Sequence, residues 1–490
     1  MGDLFLAIDA GGTAVKAAVF DARGKLVALR AVDVTTVYRE NGWVEREPKQ
    51  FWESTAQAIR QLTSTIISPE RIAAITCTGF GNGVFLVDAN GQGTRDGIVS
   101  VDHRAQSIVD AFLEDGTAAF METSTGHRIW GGQTIMQLIW LARNEPDVVK
   151  KTRWALACKD YVRMQLTGIA ATDPTDASGG GLLNLIRNDY DEEYFNKLGI
   201  SSFFGCMPPL VDNSAIAGRV TPEAATQTGL LIGTPVVTGM MDVSSCVIGS
   251  GVIDSDALTM IAGTWSINAV ETQQVINNAP PILNMLHRDR TCRMIAEGSP
   301  TSAGNLNWYL SRAAGGLIDI DIANALVAAS AVVGRRCHFM PFLNGPAPRQ
   351  GAYIGLGSSD DQGSMLRALF EGVAFQHRRH GESIMEYVAP QKPVVIRLAG
   401  GASKSEVWAQ IFADICGLPV EVSEGEEIGA LGAAICAAVA TGFYPDIAAA
   451  TKSMCRITRT ASPKPELRDF YDERYNQFLM LDRKLAGLFA

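Results

Sequence analysis

Two stretches of this chain follow one plan. Residues 4–8 form an apolar run that reads as a buried strand, Gly11-Gly12-Thr13 is a turn of small residues, and residues 15–20 read as a second strand. In the second half, the apolar run 257–262, the turn Gly263-Thr264 and the run 265–267 repeat that order. A chain that opens each half with strand, glycine turn and strand has few folds open to it, and two related α/β domains satisfy the pattern. At 490 residues it is also too long for one ordinary core, which independently calls for two large domains.

The flanking segments continue each half as α/β. After the turn at Asp21-Ala22-Arg23-Gly24, residues 26–29 read as the third strand of a meander. From Pro48 to Leu62 the spacing is helical, with proline in the first turn and Phe51, Ala58, Ile59 and Leu62 on one face. Residues 72–76 read as a strand, and residues 84–87 and 98–101 flank Asn90-Gly91 as a hairpin-like element. Residues 234–238 form a strand leading into Gly239. Residues 394–398 run into Gly400-Gly401 and a helix through Val407, Ile411 and Ile415. Residues 419–422 read as a strand, 427–439 as an Ala- and Gly-rich helix and 465–489 as a charged closing helix. The expected domains are 1–250 and 251–455, with 456–490 as the closing segment. His377 and His380 beside Arg378 and Arg379 read as a solvated helix face, and Trp52, Trp140 and Trp308 as core.

Several partner classes are disfavoured. A net charge of -10 repels nucleic acid and anionic lipid. The nine cysteines are scattered without a C-x-x-C pair, which argues against zinc and suits buried thiols in a reducing, cytoplasmic setting. No run reaches the roughly 18 apolar residues of a membrane span.

Five motifs carry chemistry. In Asp9-Ala10-Gly11-Gly12-Thr13-Ala14-Val15-Lys16, small residues let backbone N–H groups approach a phosphate, and an acid at the strand end suits Mg²⁺ held through water. A plain hairpin explains the same residues without a ligand. In Gly239-Met240-Met241-Asp242, a lone acid follows a strand end, as a base for an attacking hydroxyl would; a helix N-cap is the simpler account. Gly263-Thr264-Trp265-Ser266 is the counterpart of the first turn. Gly400-Gly401-Ala402-Ser403-Lys404-Ser405 suits a nucleotide over a helix N-terminus, though it is neither a P-loop nor a dinucleotide fingerprint. Gly79-Phe80-Gly81-Asn82-Gly83 with Asp102-His103-Arg104 offers short polar groups for a polyol; for Asp102 and Arg104 a surface ion pair is the alternative.

Taken in order over essentially the whole chain, the set resembles the FGGY carbohydrate kinases, which include xylulokinases, ribulokinases and glycerol kinases. The resemblance rests on Asp9 with Lys16, Asp102-x-Arg104, Cys158-Lys159-Asp160-Tyr161 with Leu166-Thr167-Gly168, and Asp173-x-x-x-Ala177-Ser178. Gly233-Thr234-Pro235, Asp242, Gly263-Thr264, Arg367-Ala368-x-x-Glu371-Gly372 and Gly400-Gly401-Ala402 complete it. It implies two actin-like, ribonuclease H-like α/β domains around a deep cleft, with the sugar in the first domain and ATP held mainly by the second. It further implies Asp242 as the base, Asp9 on the Mg²⁺ side, and Gly12, Thr13, Lys16, Thr264, Gly401 and Ser405 as ATP contacts. Gly81, Asn82, Asp102 and Asp242 then fall at the substrate, with a homodimer as the assembly.

Gly81-Asn82 stands where D-xylulokinases carry Met-His, which points away from D-xylulose. The turn at Gly263-Thr264-Trp265 and the segment from Ser299 to Leu306 look most like the L-xylulose kinase branch, and residues 159–178 are also similar to erythritol kinases. The expected activity is ATP- and Mg²⁺-dependent phosphorylation of a terminal hydroxyl, on L-xylulose first and on erythritol or another pentulose as the alternative. A non-catalytic sugar or nucleotide sensor is the alternative of another class.

Overall fold

The structure is a computed structural model that describes residues 2–488 except Thr264, residues 275–279, Arg335, residues 346–348 and Gln391. The described chain groups into two compact units. The first comprises Met1–Ile253, Glu271–Ile295 and Glu427–Arg456, and the second Asp254–Val270, Ala296–Glu426 and Ile457–Ala490.

The first unit is built on a six-stranded sheet ordered Ile216–Arg219, Pro235–Met241, Ile72–Gly79, Leu4–Ala10, Ala14–Asp21, Leu26–Asp33. The last three strands are the expected meander, and Leu4–Ala10 runs parallel to Ile72–Gly79, which runs parallel to Pro235–Met241. Side chains alternate across a strand, and here both faces are covered. Leu4, Leu6 and Ile8 pack with Phe51, Ile59 and Leu62 of the helix Pro48–Thr63 on one side. Phe5, Ala7 and Ala18 pack with Ala430, Ala433, Ala434 and Ala437 of the helix Ile428–Ala440 on the other. Burial on both faces explains why these strands read as near-continuous apolar runs rather than alternating ones.

The helix Ile428–Ala440 also lies against the helix Asp242–Gly249. Glycines set the separation. A Cβ on Gly432 would overlap the Ser245 carbonyl oxygen, one on Gly249 would overlap the Ile428 carbonyl oxygen, and one on Gly429 would sit 3.2 Å from Cys246 Sγ. Backbone cannot yield as a side chain can, so Gly432→Ala should destabilise the protein by about 1–3 kcal/mol. A lowered thermal midpoint checks this, and an unchanged midpoint contradicts it.

In the second unit, Ala257–Ala262 pairs antiparallel with Ser266–Thr272 and parallel with Val395–Gly400, which continues to Val420–Ser423 and Ile457–Ala461. The helix Gln362–Tyr387 is buried along most of its length, with Phe370 stacked on Trp408 of the helix Glu406–Cys416 at 4.1 Å. The expected solvated face of that helix is corrected here. His377 is fully buried and bonds Ser302 Oγ at 2.9 Å and Asn268 Oδ1 at 2.8 Å, and burial keeps its imidazole neutral. Trp308 departs in the other direction: it is 41% exposed, whereas Trp52 is core as expected. The helix Arg468–Ala486 closes the described chain, and no described helix is long and apolar enough to cross a membrane.

Candidate active site

Three parallel strands of the first unit end side by side, with Ala10 level with Gly79 and Gly79 level with Met241. Ligands of α/β folds gather beyond the carboxyl ends of such strands. Most of the expected site residues of this unit sit here. Asp9 is one residue from the end of its strand, directly opposite Lys16 across the hairpin. Gly81 and Asn82 follow the second strand, and Asp242 follows the third as the first residue of the helix Asp242–Gly249.

The third strand does not run straight to its end. Its register against Ile72–Gly79 shifts between Val237 and Met240, which makes Thr238 and Gly239 a bulge. Gly239 takes φ +77°, and a Cβ there would overlap the Cys77 carbonyl oxygen. A bulge re-aims the chain beyond it, and here the re-aimed segment delivers Asp242. Its side chain is not a helix cap over the first turn. Oδ1 accepts a hydrogen bond from the N–H of its own neighbour Val243 at 2.7 Å, and the carboxylate also accepts from the N–H of Gly81. A Cβ on Gly81 would overlap the Met241 thioether, so a side chain there would displace that of Met241.

The electrostatics are those of crowded acids. Burial among protein atoms pushes the Asp242 carboxyl up to about 7, with the Asp9 charge adding to it. Burial raises Asp9 to about 6, opposed by Lys16 and reinforced by Glu427. Both residues keep part of their surface accessible, as groups that meet a ligand must. Lys16 Nζ bonds both oxygens of Glu427, at 2.8 and 3.0 Å.

The hairpin between Asp9 and Lys16 is braced from its carbonyl side. Ala10 O accepts from Phe80 N at 3.3 Å, Gly11 O from Arg46 Nη1 at 3.2 Å, Gly12 O from Arg46 Nη2 and Thr13 O from Val34 N at 3.0 Å. With its carbonyls taken by protein donors, what the turn can offer an anion is its N–H groups, the arrangement a phosphate requires. Gly12 and Thr13 are exposed, and no atom lies within 4 Å of where a Gly12 Cβ would be.

In the second unit, Ala262 pairs with Gly400, so the Gly263 turn and Gly401 lie next to each other at one sheet end. Ser405 is buried and spends its hydroxyl within the protein, capping Trp408 N at 3.1 Å and donating to Asn324 Oδ1 at 2.6 Å. Thr264 lies outside the described residues.

The N-terminal domain of the FGGY family of carbohydrate kinases matches residues 4–249, and its C-terminal domain matches residues 258–441. The chain belongs to the FGGY carbohydrate kinases. It is 31% identical to the L-xylulose/3-keto-L-gulonate kinase of Escherichia coli strain K12, over 100% of this chain and 99% of that protein. The erythritol kinase of Brucella abortus is 31% identical over 91% of this chain and 88% of its own length. The xylulose kinase of Lactobacillus acidophilus, solved with a ligand, superposes with a TM-score of 0.90 at 23% identity, covering 99% of both chains. The fold is therefore the two-domain actin-like one, and this FGGY kinase is a phosphotransferase that acts on a carbohydrate hydroxyl.

Asp102 stands apart from the other expected residues. It is fully buried, and its two oxygens accept from Val44 N at 2.5 Å, Arg104 N at 2.8 Å, and Arg104 Nε and Nη2 at 2.9 Å each. That fills the four acceptor positions of a carboxylate. The surface ion pair considered from sequence is thus an interior one: Arg104 also bonds Glu45 and lies over the rings of Trp43 and Trp140. Two residues that sequence reasoning missed complete the site. Arg46 was hidden because a lone arginine after a strand carries no motif. Glu427 was hidden because its partner is 411 residues away, although an acid just before a glycine-rich helix was open to notice.

Proposed function

We propose that this FGGY kinase transfers the γ-phosphoryl group of ATP to the terminal hydroxyl of a pentulose, L-xylulose first. The observation that carries the reading is Asp242, a carboxyl held near neutrality at the end of a bulged strand and beside a second acid. A base for an alcohol works best with a pKa near the operating pH. Asp242 orients the hydroxyl and takes its proton as the oxygen attacks phosphorus. Gly81 and Asn82, whose Oδ1 is held by Thr134 N at 3.3 Å, flank the acceptor. Gly12, Thr13 and Lys16 meet the phosphates and Gly401 and Thr264 the nucleotide, whereas Ser405 serves the helix Glu406–Cys416 as its cap. The nine free cysteines support a reducing cytoplasm as the setting.

The residues also suit Mg²⁺. Burial raises both Asp9 and Asp242, Glu427 adds to the first and Asp9 to the second, and a cation held through water would offset that repulsion. Bound Mg²⁺ supplies neutralisation of phosphate charge.

The acceptor is found by measuring ADP release with ATP and Mg²⁺ across L-xylulose, D-xylulose, L- and D-ribulose, erythritol and glycerol. L-xylulose should give the largest rise over the no-sugar rate. The highest kcat/KM on erythritol would move the assignment to a polyol. Tight ATP binding with a flat panel would favour the sensor. Because Asp242 must be ionised to accept a proton, kcat/KM for the sugar should rise with pH through about 7 and then level; a flat profile from pH 5.5 to 8.5 would contradict its role as base. Lys16→Met should weaken ATP binding by roughly 10- to 150-fold, the range of about 1.5–3 kcal/mol for a hydrogen bond to a charged group. Calorimetric titration reads this directly.

A further inference from the structure

Beneath Asp242 lies a buried ionic network. Lys159 Nζ is 2.6 Å from Asp160, 2.5 Å from Asp173 and 3.1 Å from Asp176, and Arg163 bonds Asp160 at 2.8 Å. All five side chains are shut off from solvent or nearly so. Burying this many charges is expensive and often gives no net stability, so such a network needs a reason other than holding the fold together.

Its outward contacts suggest the reason, because two of them land on the strand that delivers Asp242. Arg163 Nη1 donates to the carbonyl of Thr238 at 3.1 Å, within the bulge. At the other end Asp173 accepts from Thr175 Oγ1, and Thr175 Oγ1 accepts from Met241 N at 2.8 Å. Met241 is the residue immediately before Asp242. Its thioether meanwhile rests on two glycines: Cε lies 3.1 Å from where a Gly179 Cβ would be, and a Gly81 Cβ would overlap it. The short helix Pro174–Gly179 therefore cradles Met241 from below, with Thr175 on its N–H and Gly179 under its side chain.

We propose that Thr175 is a positioning residue for phosphoryl transfer, fixing Met241 and through it the approach of the Asp242 carboxylate to the acceptor hydroxyl. The proposal rests on Asp242 serving as the base. Thr175 is fully buried, and its link to the site is the hydrogen bond its Oγ1 accepts from Met241 N. Asp173 locks the Thr175 hydroxyl rotor by accepting its proton, which aims an oxygen lone pair at the Met241 amide. Lys159 holds Asp173 in turn, and Arg163 pins the bulge three residues upstream of Met241.

The test compares wild type, Thr175→Val and Thr175→Ser on the acceptor that wild type prefers. Valine keeps the shape and removes the acceptor, whereas serine keeps the hydroxyl. A displacement of about 1 Å at a reacting group can cost 100-fold in rate, so Thr175→Val should lower kcat by roughly 10- to 100-fold with KM for ATP unchanged, and Thr175→Ser should restore most of the loss. Should the valine variant fold poorly, Thr175→Cys, with a far weaker acceptor, gives the same comparison. Wild-type kcat in Thr175→Val overturns the proposal, and so does equal impairment of the valine and serine variants. Wild-type protein inactive on every acceptor overturns the kinase reading, and this proposal with it.

Discussion

Asp242→Asn should leave a folded protein that still binds ATP but has lost about 10²- to 10⁴-fold in kcat, the span attributable to a positioned base. Asparagine preserves the shape, and its carbonyl oxygen can still accept from the N–H of Val243, so the loss reports chiefly on proton acceptance. The same substitution should change stability in the opposite sense. Burial and Asp9 hold the Asp242 pKa near 7, well above the 3.8 of a free aspartate. The folded chain thus keeps a proton that the unfolded chain gives up. That contribution is complete below pH 4 and disappears as pH rises through 7. Above pH 7 the wild type carries the strain of two close carboxylates, and the asparagine variant does not. At pH 8 its thermal midpoint should therefore be at or above that of wild type. A variant with unchanged turnover would remove Asp242 from the chemistry, and one that is dead but markedly less stable would show that its charge serves the fold.

Asp102→Ala should act on stability. Arg104 is wholly buried between Trp43 and Trp140, with Asp102 and Glu45 as its carboxylate partners. Removing one partner of a buried ion pair leaves an uncompensated charge, at about 3–5 kcal/mol. Val44 N loses its acceptor as well. Glu45 is a poor substitute, because it already serves Arg39 and Arg95. A thermal unfolding series should show Asp102→Ala lowering the midpoint far more than Asp242→Asn does. A normal midpoint with a raised sugar KM would instead return Asp102 to direct contact with the substrate.

The two substitutions also mark how far the sequence could be read. Local signals were strong. Proline opens the helix Pro48–Thr63, the paired Gly turns locate both hairpins, and Asp9, Gly81 and Asn82 stand near or just after strand ends as the sequence suggests. The features that escaped were set by contacts distant in sequence. His377 beside Arg378 and Arg379 reads as a solvated face, but the helix Gln362–Tyr387 is buried along most of its length, and the partners of His377 come from Asn268 and Ser302. Asp102 reads from sequence as a substrate contact or half of a surface ion pair because the aromatic rings and Glu45 that enclose its partner Arg104 lie elsewhere in the chain. The bulge at Thr238 and Gly239, which decides where Asp242 goes, showed only as one glycine, since a register shift is a property of two strands and not of one.

The helix Ile428–Ala440 covers a sheet face made from residues that precede it by hundreds of positions. A ribosome finishes the first long segment of that unit at Ile253 and does not reach Glu427 until residues 254–426 have been made. At about 5–20 residues per second this takes roughly 10–35 s. Throughout that interval Phe5, Ala7, Ala18, Phe20 and Val237 lack the cover of that helix. The half of the enzyme that carries Asp242 is the first to be begun but is completed only once Glu427–Arg456 has been made, so a nascent chain must be kept from aggregating until that segment emerges.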